Sequence, residues 1–192
     1  MISGKAGMRS LEAAAIFLAI VASAKLAAMM TISDQLISPI WLPAAVCLSA
    51  LIWLGNRSIP AIVLGTGFLG WGVAKNADIA LLATLLVVPG TAAGATLQAL
   101  AGRYLIQRYI NPDAEIESAS QFFRLLLIAP LAGVVSPAVA LTVQYLCGVW
   151  PAGSFSLYAA NWWFGDSVAI AFLTPLLLGM RRGTLAQSFT LV

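Results

Sequence analysis

The sequence contains no histidine, and Asp, Glu, Lys and Arg together make up only 9% of its 192 residues. The missing histidine removes the commonest general base and most zinc sites. The carboxylates are too few and too separated for a paired acid–base assignment, so no enzymatic activity, metal or other cofactor is expected. Soluble domains carry roughly 25% charged residues. The low charge, 61% hydrophobic content and mean hydropathy of +0.95 therefore exclude a water-soluble globular fold. Alternating segments of about 10 residues, the mark of a closed membrane barrel, are also missing. The expected class is all-α, a polytopic transmembrane helical bundle of six to eight spans in a single domain.

Positive charge is present but dispersed. The net charge of +3 and pI near 9.1 come from basic residues standing singly at the ends of apolar runs, so they mark topology and no nucleic-acid partner is expected. Cys47 and Cys147 both sit in apolar surroundings and read as free buried thiols, with a disulfide near one membrane face as the alternative. Lys5, Arg9 and the small triplet 22–24 imitate a cleaved secretory signal. The apolar run continues to Met30, however, and is too long for the usual signal core of about 7 to 15 residues.

Apolar stretches able to cross a hydrocarbon core of about 30 Å are placed at 11–31, 44–54, 59–73, 79–108, 121–149 and 156–180. Pro89-Gly90 is expected to break or kink the fourth, and Pro130 and Pro137 the fifth. The polar, proline-containing segment 33–43 is an interface loop, and 111–120 is an acidic connector. The end of the fourth stretch turns amphipathic and is expected to lie at the headgroups. GTGFLG at 65–70 matches the dinucleotide fingerprint by letter but lacks the strand, helix start and later acid that the motif needs; close helix packing accounts for it. Gly90 and Gly94 form a GxxxG pair and offer a contact face for a homodimer.

Six passes from a cytoplasmic N-terminus put Lys5, Arg9, Arg57, Arg103, Arg108, Arg124, Arg181 and Arg182 inside, with Lys75 outside and Lys25 within the membrane. Both termini then face the cytoplasm by the positive-inside rule. Trp41, Trp71 and Trp150 fall at the outer face, which is independent of charge.

Asp166 is the residue that most needs explaining. An acid within a span costs roughly 2.5 to 3.5 kcal/mol on insertion scales and normally has a partner or a function. Lys25 is at a similar expected depth, about 6 Å away in height at 1.5 Å per residue. The two are expected to pair, or to flank a polar cavity in the outer half of the bundle. Trp162 and Trp163 precede Asp166 by four and three positions and are expected to share its face. A small ligand or a proton-linked switch would suit such a centre; a structural pair that sets helix register is the alternative.

Three blocks, WLPAAVCLSALIWLGNRSIPAIVLGTGFLG (41–70), TLQALAGRYLIQR (96–108) and NWWFGDSVAIAFLTPLLL (161–178), resemble the bacterial membrane-associated sensor domain, MASE family type one. The resemblance implies an input module of the plasma (inner) membrane, multi-pass. It would stand before a cytoplasmic histidine kinase or diguanylate cyclase output domain in cis. Its partners would be the lipid bilayer and an unidentified small ligand or membrane protein. Carried over by position, it points to Trp41, Pro43, Gly65, Gln98, Arg103, Trp163, Gly165, Asp166, Thr174 and Pro175. The competing reading is a small substrate-binding membrane subunit of a transporter, which proline-broken spans and an intramembrane acid also fit.

Overall fold

The computed structural model describes residues 2–31, 38–114 and 116–181, with the side chains of 2–9 and of Arg181 left out. The described residues form helices and connecting turns, with no strand. In chain order the helices are α1 (Ile2–Met29), α2 (Leu42–Leu54), α3 (Ile59–Asn76), α4 (Leu81–Tyr109), α5 (Ala119–Gly133), α6 (Thr142–Leu146), α7 (Phe155–Val168) and α8 (Thr174–Arg181). π-helical segments Pro137–Leu141 and Ala169–Leu173 join α5 to α6 and α7 to α8. Among the described residues, five stretches are long and apolar enough to cross a membrane: Ser10–Met29, Leu42–Asn76, Leu81–Tyr109, Ala119–Leu146 and Phe155–Met180.

The second of these is a hairpin. Gly55 adopts φ +65°, a conformation costly for a residue with a Cβ, and a single 3₁₀ turn, Gly55–Ser58, reverses the chain. Leu54 and Arg57 lie beside Glu12 near the start of α1, while Gly65 further along α3 packs on Ile20. α3 therefore runs parallel to α1. Cys47, Ala50 and Leu51 of α2 share an apolar core with Ile16 and Ile20 of α1, Ala61 and Ile62 of α3, and Ala99 of α4. At 13 residues, α2 is about 20 Å long, shorter than a full bilayer core. It is held by protein on most sides: Pro43 to Cys47 and Leu48 to Leu51 are almost all buried.

α4 occupies the middle of the bundle and is helical through Pro89 without a break, where a break or kink was expected. An interior proline costs about 3 kcal/mol or more, and close packing on both flanks offsets it. Gly90, Gly94, Gln98 and Gly102 recur every fourth residue and form one seam. The seam lies against Val143, Ala140, Ser136 and Ala132 in turn, so the α5–α6 segment runs antiparallel to it. A Cβ on Gly94 would stand 2.9 Å from the Ala140 Cβ and 3.0 Å from its backbone nitrogen. The GxxxG pair is thus used within the chain, and the homodimer face expected there is occupied. On its other side α4 meets α3, where a Cβ on Gly70 would come within 2.9 Å of Thr91. The GTGFLG stretch lies in the interior of α3 and serves this packing.

α5 begins at a capping box in which Ser118 and Gln121 satisfy each other's backbone N–H groups. A second apolar core joins α2 (Ala44, Ala45, Leu48), α5 (Leu125, Ile128, Ala129, Ala132) and the π-helical Ala169, Ile170 and Ala171. The two ends of the bundle differ in chemistry. Arg57 and Glu12, Arg103 with Asn56, and Arg124 with the Tyr109 carbonyl gather at one end. Trp71 with Lys75 and Trp150 with Tyr158 gather at the other. α4 reaches this basic end as one continuous helix through Tyr109. Residues 32–37 of the expected interface loop, and Arg182, lie outside the described residues.

Candidate functional site

Asp166 lies near the midpoint of the Phe155–Met180 stretch and is 0% exposed. Its partner is Gln98 of α4, whose Nε2 donates to Oδ2 at 2.7 Å. Gln98 is also buried, and its Oε1 accepts the backbone N–H of Ser136 at 3.0 Å. One amide side chain therefore uses its donor on α7 and its acceptor on the α5–α6 connection. A carboxamide suits this bridge because it presents both kinds of group on one plane. A hydrogen bond of this kind contributes roughly 0.5 to 1.5 kcal/mol net, and leaving a buried partner unmatched costs about 1 to 3 kcal/mol. Oδ1 of Asp166 has no hydrogen-bond partner among the described residues. Trp162 lies four residues earlier, one turn along the same face of α7.

Why Ser136 has an N–H to offer follows from the local sequence. α5 stops at Gly133 and Pro137 starts the π-helical segment, so the helical ladder is interrupted between them. An interrupted helix leaves backbone groups that hydrocarbon cannot satisfy. Gln98 takes the Ser136 N–H, and Trp163 Nε1 donates to the Pro130 carbonyl at 2.9 Å. Trp163 is 38% exposed and reaches toward α5. Its indole thereby closes the end of a neighbouring helix.

Gly165 sits against the chain entering α2. Its carbonyl accepts the Trp41 N–H at 3.1 Å, and a Cβ at this position would lie 2.9 Å from the Ser38 carbonyl oxygen. Only glycine permits this approach. Trp41 packs on the α2–α5 core, and Pro43 occupies the first turn of α2 and is buried. The expected residues Asp166, Gln98, Gly165, Trp41 and Trp162 are thus brought together with α2, α4 and α7. Thr174, directly after the π-helical segment and first in α8, is 0% exposed with its hydroxyl unpartnered, and Pro175 follows it. A proline there clashes with the carbonyl four residues back. The widened π turn before it, Ala169–Leu173, relieves that crowding.

Three expected members stand apart. Lys25 is exposed on the outer surface of α1 and forms no ion pair with Asp166. α1 is rotated so that Ile16, Ile20, Ala24 and Ala27 face inward, which turns Lys25 outward. Arg103 is at the basic end, bonded to Asn56 Oδ1 at 3.2 Å. Gly65 packs on Ile20 and has a structural role.

Sequence reasoning missed two features. The Ser136 N–H was invisible because a backbone donor has no letter of its own. Gln144 was overlooked because it is uncharged. It is 0% exposed, donates to Thr91 Oγ1 at 3.0 Å and accepts from Trp150 Nε1 at 3.1 Å. A polar amide within an apolar span was the available signal.

The MASE1 family model matches residues 11–190. No curated protein and no solved structure matches the chain. The chain belongs to the MASE1 family, whose members are membrane-integral sensory input domains.

Proposed function

We propose that this MASE1 domain detects a membrane or small-ligand signal and passes it through the last helix to a cytoplasmic signalling domain C-terminal to it, of kinase or diguanylate cyclase type. Its setting is the bacterial inner membrane, with six passes and both termini in the cytoplasm. The segregation of Arg57, Arg103 and Arg124 to one end and of Trp71 and Trp150 to the other supports that orientation.

The observation that carries the reading is the Gln98 bridge. It joins α4 to Asp166, which lies three residues before the π-helical Ala169–Leu173, and to Ser136, which lies directly before the π-helical Pro137–Leu141. π turns hold one extra residue per turn, and converting such a turn to α geometry rotates and shifts everything beyond it. A signal that strengthens or releases the Gln98 bridge biases two such turns together. The shift reaches the end of α8. The surroundings of Asp166 are packed: backbone lies within contact of Gly94, Gly133 and Gly165. This favours a mechanical switch over a solute-capture cavity.

The test is a fusion of a diguanylate cyclase domain after Val192, with membrane insertion verified. Gln98→Leu and Asp166→Asn are expected to change basal cyclase output by roughly 5- to 150-fold, the usual range of coupling. Lys25→Met is expected to leave it unchanged. Wild-type output from both bridge variants would contradict the proposal.

A further inference from the structure

Along one flank of the bundle, α1, α3 and α4 leave an apolar groove of about 920 Å³. Small residues make it: Ala14 and Gly67 supply no bulk, and Phe17, Pro60, Leu64 and Trp71 form its walls. Following α3 from Pro60 to Trp71, the groove is roughly 16 Å long at 1.5 Å per residue. One leaflet of a hydrocarbon core of about 30 Å is about 15 Å deep. The groove therefore has the length of an acyl chain within a single leaflet.

Its two ends are not equivalent. At the Trp71 end, the Lys75 ammonium is 5.6 Å from the indole centroid and engaged with that ring. At the Pro60 end, the groove shares Ala13 with a small recess lined by Glu12, Ile16, Leu54 and Arg57. Arg57 Nε is 4.0 Å from Glu12 Oε2, and its side chain is 56% exposed. A guanidinium held only through Nε keeps its terminal amino groups for the oxygens of a phosphate. Arg103 bonds to Asn56, the neighbour of Arg57. Two arginines at this end against the one carboxylate of Glu12 leave an excess of positive charge where a headgroup would lie.

We propose that this flank binds an anionic phospholipid, with its phosphate on Arg57, Arg103 adding to the local field, and one acyl chain in the groove. Apolar contact holds the chain, and the charge excess selects the headgroup. The site is independent of the Gln98 bridge and does not rest on the sensory reading.

Native mass spectrometry of the full chain, released from detergent with equal amounts of phosphatidylglycerol, phosphatidylethanolamine or phosphatidylcholine, tests this. Phosphatidylglycerol is expected to be retained at least about fivefold more than either zwitterionic lipid, an energy difference of about 1 kcal/mol. Arg57→Gln is expected to abolish that preference, and Ala14→Trp to reduce retention of all three. Lys75→Gln is expected to change neither. Leu64→Trp, at an exposed lip position, replaces Ala14→Trp if the latter does not elute as one species. Equal retention of the three lipids, preference for phosphatidylethanolamine, or wild-type behaviour of Arg57→Gln or of the groove-filling variant would overturn the proposal. So would a dimer whose interface covers the groove.

Discussion

Gln98 and Asp166 are 68 residues apart in the chain and meet at 2.7 Å inside the bundle. Neither is charge-paired, and each would be expensive to bury alone. Gln98 gains from serving two partners at once, so its loss is felt on α7 and on the α5–α6 connection together.

Truncating the carboxyl should therefore cost more than neutralising it. Asp166→Asn retains an oxygen able to accept from Gln98, whereas Asp166→Leu leaves the Gln98 amide unmatched. An unsatisfied buried polar group costs about 1 to 3 kcal/mol. Unfolding in mild detergent is expected to rank Asp166→Leu below Asp166→Asn by that amount, and the reverse order would contradict the geometry.

Gln98→Leu strands two groups, the Asp166 carboxyl and the Ser136 N–H. A loss of roughly 2 to 6 kcal/mol is expected, taking about 1 to 3 kcal/mol for each stranded group. A double-mutant cycle with Asp166→Leu, which removes the acceptor, should show strong non-additivity. Additive losses would mean that the two side chains act independently.

Glycines separate into two groups by what a methyl would meet. Gly94→Ala and Gly165→Ala place Cβ against backbone atoms at 2.9 to 3.1 Å, so both are expected to destabilise. A methyl at Gly72 meets nothing within 4 Å, and Gly72→Ala should gain up to about 1 kcal/mol from helix propensity. Thermal unfolding of the three single variants checks the contrast.

Lys25→Met is expected to leave unfolding within about 0.5 kcal/mol of wild type, as for surface substitutions generally. A loss of several kcal/mol would restore the Lys25–Asp166 pair and remove Gln98 from its central role.

The membrane class, the helical architecture and the position of the key acid were legible because hydropathy and rare charges are carried by the residue letters themselves. The partner of Asp166 was not. Depth along a helix follows from rise per residue, but the rotation of α1, which turns Lys25 outward, is set by how Ile16 and Ile20 pack on α2 and α3. Pro89 illustrates the other limit: local propensity predicts a break, yet packing of the Gly90–Gly94 seam carries the helix through. Gln98 emerged from family resemblance, whereas Gln144, equally buried and bonded, lay outside every block used for comparison.

The second network gives its own expectation. Gln144→Leu leaves Trp150 Nε1 without its acceptor and Thr91 Oγ1 without its donor. A loss of about 1 to 3 kcal/mol in thermal unfolding is expected, with no change in basal output of the cyclase fusion. A large change in output would place this network in the signalling path as well.

Hydrogen–deuterium exchange of Gln98→Leu in lipid nanodiscs tests the central coupling most directly. Faster exchange is expected in both π-helical segments, Pro137–Leu141 and Ala169–Leu173, while α1 and α3 keep wild-type protection. Unchanged exchange in these two segments, or an equal rise across all helices, would contradict the account.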